Sequence, residues 1–253
     1  MSHSATDSSQ RRQRPVIAID GPAGAGKSTI AAHLARRFGL LNLETGAMYR
    51  ALALKAIEND RDFDQEPELL ELAAHTTITL EPQREGNRVL LDGQDVSRRL
   101  RDADVTAAAS RVSVHPRVRA WMVARQQALG ASGGVVMEGR DIGTVVFPDA
   151  EIKIFLDADP EVRGNRRFKQ AAPQNPANER ITEAAVIAEM KERDQRDRNR
   201  AESPLRPAED AIILDSTAMT LEEVLARSEE IVLAHLGAVT GAASGKSVES
   251  QIG

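Results

Sequence analysis

A glycine-rich run that ends in a lysine and a serine is the part of this sequence best suited to hold phosphate. Residues 21–28 read Gly-Pro-Ala-Gly-Ala-Gly-Lys-Ser, which matches the P-loop pattern G-x-x-x-x-G-K-[ST]. The glycines let backbone N–H groups close around phosphate oxygens, and the N-terminus of a following helix adds positive potential. We therefore expect Lys27 to reach the β- and γ-phosphates of a nucleoside triphosphate and the Ser28 hydroxyl to ligate Mg²⁺. The predicted triphosphate contacts are Gly21, Pro22, Ala23, Gly24, Ala25, Gly26, Lys27, Ser28 and Thr29.

Arginines and aspartates form a second set of candidates. Arg193, Asp197 and Arg200 are spaced at i, i+4 and i+7, so they share one face of a predicted helix. Arg140 and Asp141 follow a strand-like run, and open α/β sheets bind ligands at the carboxyl ends of their strands. A solvated helix with Arg–Asp pairs would explain the first three residues alone. An acceptor phosphate facing a triphosphate would explain all five, because arginine binds phosphate oxygens bidentately.

A weaker candidate is the segment 44–50. Thr45 stands at a predicted helix start and Arg50 follows five residues later, an arrangement that can hold a second phosphate. Thr45 is equally suited to be the N-cap of a plain helix with a surface arginine. The residues alone favour this simpler interpretation.

The sequence offers no evident general base near the P-loop, because His33 lies within the following helix pattern and fits a surface or packing role. A hydroxyl acceptor would be helped by a positioned base. A nucleoside monophosphate already presents an anionic oxygen and needs only positioning and charge neutralisation. The residues therefore favour a phosphate acceptor. Another small-molecule P-loop kinase, acting on AMP, UMP or a metabolite hydroxyl, and a non-catalytic P-loop switch are the alternatives.

Strand-like and helix-like segments alternate along the chain, which is typical of an α/β fold with a parallel sheet. Apolar runs at 15–20, 40–43, 133–137, 151–157 and 211–216 predict five parallel strands. With helices on both faces, they form a three-layer α/β/α core. The carboxyl ends of these strands would gather the P-loop and the arginine candidates at one edge.

A change of pattern interrupts this alternation. Residues 76–80 alternate and are β-branched, 89–91 follow a turn, and 94–96 follow a glycine, which together predict a small inserted antiparallel β-lobe. Residues 104–129 read as helix broken near Pro116. Residues 170–176 are rich in Gln, Ala and Pro, a composition typical of a mobile segment.

The composition of the chain limits which classes of protein and which kinds of site remain possible. The chain has 253 residues and a net charge of -5, which disfavours a general nucleic-acid binder. It has no cysteine, which excludes disulfides and thiolate metal sites. No apolar run approaches the roughly 18 residues that a membrane span needs. Residues 1–14 and 237–253 are polar or small and predict a disordered arm, without the apolar core of a secretory signal, and a disordered tail.

Four runs together are similar to the bacterial cytidylate kinases. They are residues 20–28, Thr-Gly-Ala-Met-Tyr-Arg at 45–50, Gly-Arg-Asp-Ile-Gly-Thr-Val-Val-Phe-Pro at 139–148, and the arginine-rich run 193–200. The resemblance extends over about residues 16–236, and the inserted lobe agrees with it. It implies a single kinase domain over 15–236, with a monophosphate-binding region and β insertion at about 60–130 and a mobile lid at about 165–185.

The resemblance also implies an activity: transfer of the γ-phosphoryl group of ATP to CMP and dCMP, with Mg²⁺, in a cytoplasmic monomer that binds neither nucleic acid nor membrane. Lys27, Arg140, Arg193 and Arg200 would be catalytic, the three arginines at the acceptor phosphate. Asp197 would face the pentose.

The remaining roles follow from the same resemblance. Thr45, where many relatives have serine, and Arg50 would lie near the acceptor phosphate and nucleoside. Ser110, Arg119 and Asp141 would read cytosine, with the carboxylate of Asp141 accepting from the N4 amine as acidic side chains do elsewhere. Uracil presents O4 at that place and should be a poorer substrate. Arg166 and Arg167 would begin the lid near the ATP phosphates.

Overall fold

The computed structural model describes residues 12–83, 86–171 and 182–244. Its strands are β1 (Val16–Asp20), β2 (Leu41–Glu44), β3 (Ile78–Pro82), β4 (Asn87–Leu91), β5 (Gln94–Asp95), β6 (Val135–Gly139), β7 (Ile152–Asp157) and β8 (Ile212–Asp215). Its helices are α1 (Lys27–Phe38), α2 (Thr45–Glu58), α3 (Glu66–Ala74), α4 (Ala103–Val112), α5 (Pro116–Gly130), α6 (Pro160–Ala171), α7 (Glu183–Asn199) and α8 (Leu221–Ser244). None of these helices is both long enough and apolar enough to cross a membrane.

Five strands form the predicted parallel sheet, in the order β2-β6-β1-β7-β8. Every residue of the central strand β1 is buried, as expected where helices cover both faces of a parallel sheet. Val16 and Ala18 belong to one apolar cluster, with α2, α4 and α5. Ile17 and Ile19 belong to another, with α1 and α8. This alternation confirms the three-layer core.

The inserted lobe is also confirmed, as a three-stranded antiparallel sheet in the order β3-β4-β5. One side chain joins it to the edge of the main sheet. Asn87, the first residue of β4, accepts a hydrogen bond from the Glu44 N–H at 2.8 Å and donates one to the Asn42 carbonyl at 2.7 Å. The amide thus extends the backbone pairing of the edge strand β2 and fixes the lobe beside Glu44.

The predicted C-terminal tail begins too early. Helix α8 continues through residues 237–244, because Gly237 and Gly241 each cost only about 1 kcal/mol in a helix and the three alanines of this segment favour helix. The rest of that tail, 245–253, lies outside the described residues.

The end of the predicted N-terminal arm is held against the domain. Arg12 pairs with Asp149 and Glu151, and the guanidinium of Arg14 donates to the Gly39 carbonyl. Residues 1–11 lie outside the described part of the chain. So do residues 172–181, which include most of the predicted lid tip.

We predict that Asn87→Ala lowers the free energy of unfolding by about 1–3 kcal/mol, because two backbone groups of β2 lose their partner. Urea denaturation measures the change. Asn59→Ala is the matched control: its amide donates only to the Lys55 carbonyl on an exposed helix end, so its effect should stay within about 0.5 kcal/mol. Equal losses in the two variants would contradict a joining role for Asn87.

Candidate active site

The P-loop connects β1 to α1 through residues in left-handed conformations. Gly24 has φ 72° and Gly26 has φ 102°, a region that side chains other than glycine rarely adopt. Gly21 is required for a different reason, since a Cβ there would lie 2.0 Å from the Leu156 carbonyl oxygen of β7. The glycines thus allow the loop to pack against the sheet while opening at the N-terminus of α1.

Lys27 lies inside this loop and is 6% exposed. Its ammonium donates a hydrogen bond to the Pro22 carbonyl at 2.7 Å. Burial, and then the neighbouring charge of Arg140, lowers the pKa of Lys27 to about 7. A bound triphosphate would supply the negative charge that favours the protonated amine.

Ser28 contacts a carboxylate that the sequence analysis did not select. Its hydroxyl donates to Glu138 Oε1 at 2.7 Å, and Glu138 is the next-to-last residue of β6, the strand beside β1. Burial, and then the neighbouring Glu44, raises the pKa of Glu138. The sequence predicts a strand over 133–137 that leads to Arg140, and only the strand order places Glu138 against the P-loop.

The donor set at Ser28 fits Mg²⁺. A hydroxyl and a carboxylate are hard oxygen ligands, and Mg²⁺ is commonly bound by one or two such protein groups together with substrate phosphates. No cluster of three or more His, Cys, Asp or Glu side chains suited to a metal occurs in the described ranges.

Asp20, at the end of β1, holds the turn that carries two candidate residues. Its carboxylate accepts the N–H groups of Ile142 and Gly143 at 2.8 and 2.7 Å. These residues begin a π-helical turn immediately after Arg140 and Asp141. Burial raises the pKa of Asp20 to about 6, although both hydrogen bonds oppose this effect. The P-loop strand thereby fixes the start of the acceptor side.

The predicted acceptor-side residues come together. Arg140 Nε donates to Asp197 Oδ2 at 3.0 Å, and Arg200 Nη1 lies 3.8 Å from Asp197 Oδ1. Burial would raise the pKa of Asp197, but Arg140, Arg193 and Arg200 together lower it. Burial, followed by the charge of Arg140, lowers the pKa of Arg193 to about 10. The cluster holds more positive than negative charge, which suits an anionic ligand.

Several arginines here keep buried nitrogens that no described residue satisfies. These atoms are Nε of Arg50, Arg119, Arg193 and Arg196, and Nη2 of Arg200. Buried polar groups in proteins are nearly always hydrogen-bonded. Five such donors in one region therefore indicate a site that receives hydrogen-bond acceptors from a ligand.

Thr45 and Arg50 sit at the edge of this cluster. Thr45 is the first residue of α2, and Glu44 occupies the N-cap position, so the N-cap assignment for Thr45 was wrong. Its hydroxyl donates instead to the Glu138 carbonyl at 2.7 Å, a tertiary partner that the local sequence does not reveal. Arg50 forms an ion pair with Glu44.

Two of the three residues assigned to the base form a buried ion pair, and the third is bound to α7. Arg119 and Asp141 are 3% and 5% exposed and pair directly. Ser110 accepts a hydrogen bond from Arg196 Nη1 at 3.0 Å. Tyr49, which sequence reasoning missed, places its ring 5.6 Å from the Arg119 guanidinium, and its buried hydroxyl has no partner among the described residues. The signal that could have identified Tyr49 is the presence of an aromatic residue within the candidate phosphate-binding segment 44–50.

Arg166 lies on the other side of the P-loop strand. Its guanidinium donates to the Ser216 hydroxyl at 3.2 Å and to the Ser216 carbonyl at 2.8 Å, just beyond β8. Arg167 is exposed on α6. In this conformation Arg166 therefore binds the segment after β8 through its side chain.

Comparison with known proteins gives a consistent result. A family model described as cytidylate kinase matches residues 17–233. The cytidylate kinase of Pelotomaculum thermopropionicum is 50% identical over 212 residues, covering 83% of this chain and 92% of that protein. That of Aeromonas salmonicida is 47% identical over 212 residues, covering 84% and 91%. A solved shikimate kinase from Bacteroides thetaiotaomicron covers 88% of this chain and 98% of its own, at 13% identity and a TM-score of 0.47, too low to support an argument.

We predict that binding of ATP–Mg²⁺ at pH 8 takes up close to one proton, because Lys27, with a pKa of about 7 in the free protein, is mostly neutral there and becomes charged beside phosphate. At pH 6 this uptake should vanish, and affinity should weaken as pH rises above about 7. Calorimetry in buffers of different ionisation enthalpy measures the uptake. Lys27→Arg, which is charged throughout, should show almost none at pH 8. Equal uptake by both proteins would contradict the role of Lys27.

Proposed function

This chain belongs to the cytidylate kinase family and phosphorylates CMP with ATP; we propose the roles that its side chains take in that reaction and its extension to dCMP. The supporting observation is the group of buried arginine nitrogens on α2, on α5, on α7 and at its C-cap that no described residue satisfies. Two polyanions must approach each other there, and only a surplus of cations can offset their repulsion.

In the proposed reaction an oxygen of the CMP phosphate attacks the γ-phosphorus of ATP. The bond from that phosphorus to the β–γ bridging oxygen breaks, which yields CDP and ADP. The attacking oxygen is already anionic, so no general base is required, and catalysis consists of positioning and charge stabilisation. Lys27 holds the β- and γ-phosphates, while Arg140, Arg193 and Arg200 hold the acceptor phosphate and stabilise charge on the transferred group.

The remaining contacts divide between the two substrates. The P-loop backbone binds the triphosphate. Arg166 contacts ATP from the start of the lid. The family resemblance supports a contact with the ATP phosphates. Because its guanidinium lies at Ser216, Arg166 would also reach toward the rest of the nucleotide. Thr45 and Arg50 bind near the acceptor phosphate, and Asp197 faces the pentose.

Mg²⁺ would be held by Ser28, beside the Glu138 carboxylate that accepts the serine hydroxyl. When bound, the ion supplies charge neutralisation of the β- and γ-oxygens. Acceptance of dCMP, a monomeric state and a cytoplasmic location remain predictions drawn from the family resemblance.

Base selection would rest on Ser110, Arg119 and Asp141. Cytosine presents a donor at N4 beside acceptors at N3 and O2. The carboxylate of Asp141 can accept from N4 and the guanidinium of Arg119 can donate to the acceptor edge. The buried pair between them fixes the carboxylate as an acceptor, so that uracil O4 would meet an unfavourable partner.

The test is ADP formation with ATP–Mg²⁺ and each of CMP, dCMP, UMP, AMP and GMP. We expect turnover with CMP and dCMP far above the others. Asp141→Asn should lower the ratio of kcat/KM for CMP over UMP by about tenfold or more, because an amide can donate to O4. Asp149→Asn, which loses an acid bound to Arg12 far from the base contacts, should keep the ratio. An unchanged ratio in Asp141→Asn would remove Asp141 from base selection.

We predict that Arg193→Met lowers kcat/KM for CMP by about 100-fold or more, while the melting temperature stays the same or rises. The variant loses an acceptor-phosphate contact, but it also relieves repulsion among buried arginines. Steady-state kinetics and thermal denaturation measure the two effects. Lys191→Met, which removes an exposed cation from the same helix, should change neither quantity much. Near-wild-type turnover in Arg193→Met would overturn the assignment.

A further inference from the structure

Among the residues that the structure describes, Arg163 is the largest fully buried side chain, at 1% exposed, and the reaction described above does not use it. A buried guanidinium is costly unless its N–H groups are satisfied and its charge is paired. The contacts of Arg163 join three separate parts of the chain: the end of β7, the P-loop and α7. The packing of α6 alone does not explain why a buried arginine contacts all three parts.

Arg163 donates two hydrogen bonds and forms one ion pair. Nε donates to the Ala158 carbonyl at 2.7 Å, and Nη1 donates to the Ala23 carbonyl at 2.9 Å. Nη1 also lies 2.7 Å from Asp194 Oδ2, and Asp194 is 7% exposed on α7. The guanidinium is therefore held by Ala158 through Nε and by Asp194 through Nη1. Its position fixes the direction of the Ala23 carbonyl in the P-loop.

The direction of that carbonyl determines where the next N–H points. In a trans peptide the C=O of Ala23 and the N–H of Gly24 point in opposite directions. Because Arg163 holds the carbonyl toward α6, the Gly24 N–H is turned to the opposite side of the loop. P-loops bind phosphate through such backbone N–H groups.

The surroundings of Gly24 leave this peptide little freedom. A Cβ at Gly24 would lie 2.5 Å from Met190 Cε of α7 and 3.5 Å from Arg163 Cβ. The two helices are themselves tightly packed, since a Cβ at Gly164 would lie 2.2 Å from Ile187. Helices α6 and α7 thus form one wall against the loop, and the Arg163–Asp194 pair is a buried ion pair within it.

We propose that Arg163, restrained by Asp194, is a positioning residue for ATP: it orients the Ala23–Gly24 peptide so that the Gly24 N–H is available to the triphosphate. Ala158, Ala23 and Asp194, which Arg163 contacts, are not among the residues proposed to bind the acceptor, so its effect would belong to ATP and not to CMP. The inference rests on the proposed function only for its use of ATP.

The experiment compares Arg163→Lys, Asp194→Asn and the double variant. Lysine keeps the charge but cannot reach Ala158, Ala23 and Asp194 together, because its donors are on one nitrogen. We expect Arg163→Lys to raise the Kd for ATP, measured by calorimetry without CMP, and the KM for ATP by about tenfold. The KM for CMP should stay within about twofold. Asp194→Asn should raise the ATP constants less, and add nothing in the Arg163→Lys background, because it acts through Arg163.

Arg88→Lys and Asp95→Asn are the matched controls, since this arginine also pairs with two acids, Glu81 and Asp95, but in the β-lobe. They should leave all ATP constants unchanged. Unchanged ATP constants in folded Arg163→Lys, or an equal rise in the KM for ATP and for CMP, would show a purely structural role and overturn the inference. If Arg163→Lys does not fold, an unchanged Kd for ATP in Asp194→Asn overturns it.

The inference and the proposed function can fail separately. Wild-type protein that forms no ADP in the presence of CMP would overturn the proposed function and leave the calorimetric test of ATP binding intact. Wild-type turnover with unaltered ATP constants in the variants would overturn the inference alone.

Discussion

Repulsion between buried cations is the constraint on which the rest of this site depends. Burial and Arg140 together lower the pKa of Lys27, and the same two causes act on Arg193. Such a cluster destabilises the folded protein until an anion arrives, because charges in a low-dielectric interior interact strongly. The chain as a whole has a net charge of -5. Its buried cations are nevertheless concentrated at the active site, where two phosphate groups must be held close together.

Carboxylates at the strand ends bind the segments that carry this cluster and hold them in position. Asp20 ends β1 and holds the turn after β6. Glu138 in β6 accepts from Ser28 with its side chain and from Thr45 with its carbonyl. The triphosphate side and the acceptor side are therefore tied across two neighbouring strands. Asp197 plays the same part on α7, between Arg140 and Arg200.

The parallel sheet makes this arrangement possible. Its strands all end at the same edge, so residues far apart in the chain meet there. Helices α6 and α7 then close the P-loop from one side through the Arg163–Asp194 pair, and the β-lobe is fixed to the other edge of the sheet through Asn87. Each part contributes a rigid support to a site whose own charges repel.

The sequence by itself determined the local features. The P-loop, the five strands, the β-lobe and the shared face of Arg193 and Asp197 follow from spacing and periodicity, because those patterns record which backbone conformation and which face a residue takes. Arg200, predicted on the same helix face, instead lies just beyond the end of α7 with an extended backbone. Only the tertiary structure decided the partners. Glu138 beside Ser28, Thr45 bound to a carbonyl of β6, and Arg163 holding the P-loop depend on contacts between segments that are distant in sequence. No local pattern encodes such contacts, because burial and pairing are set by the order of strands and the packing of helices.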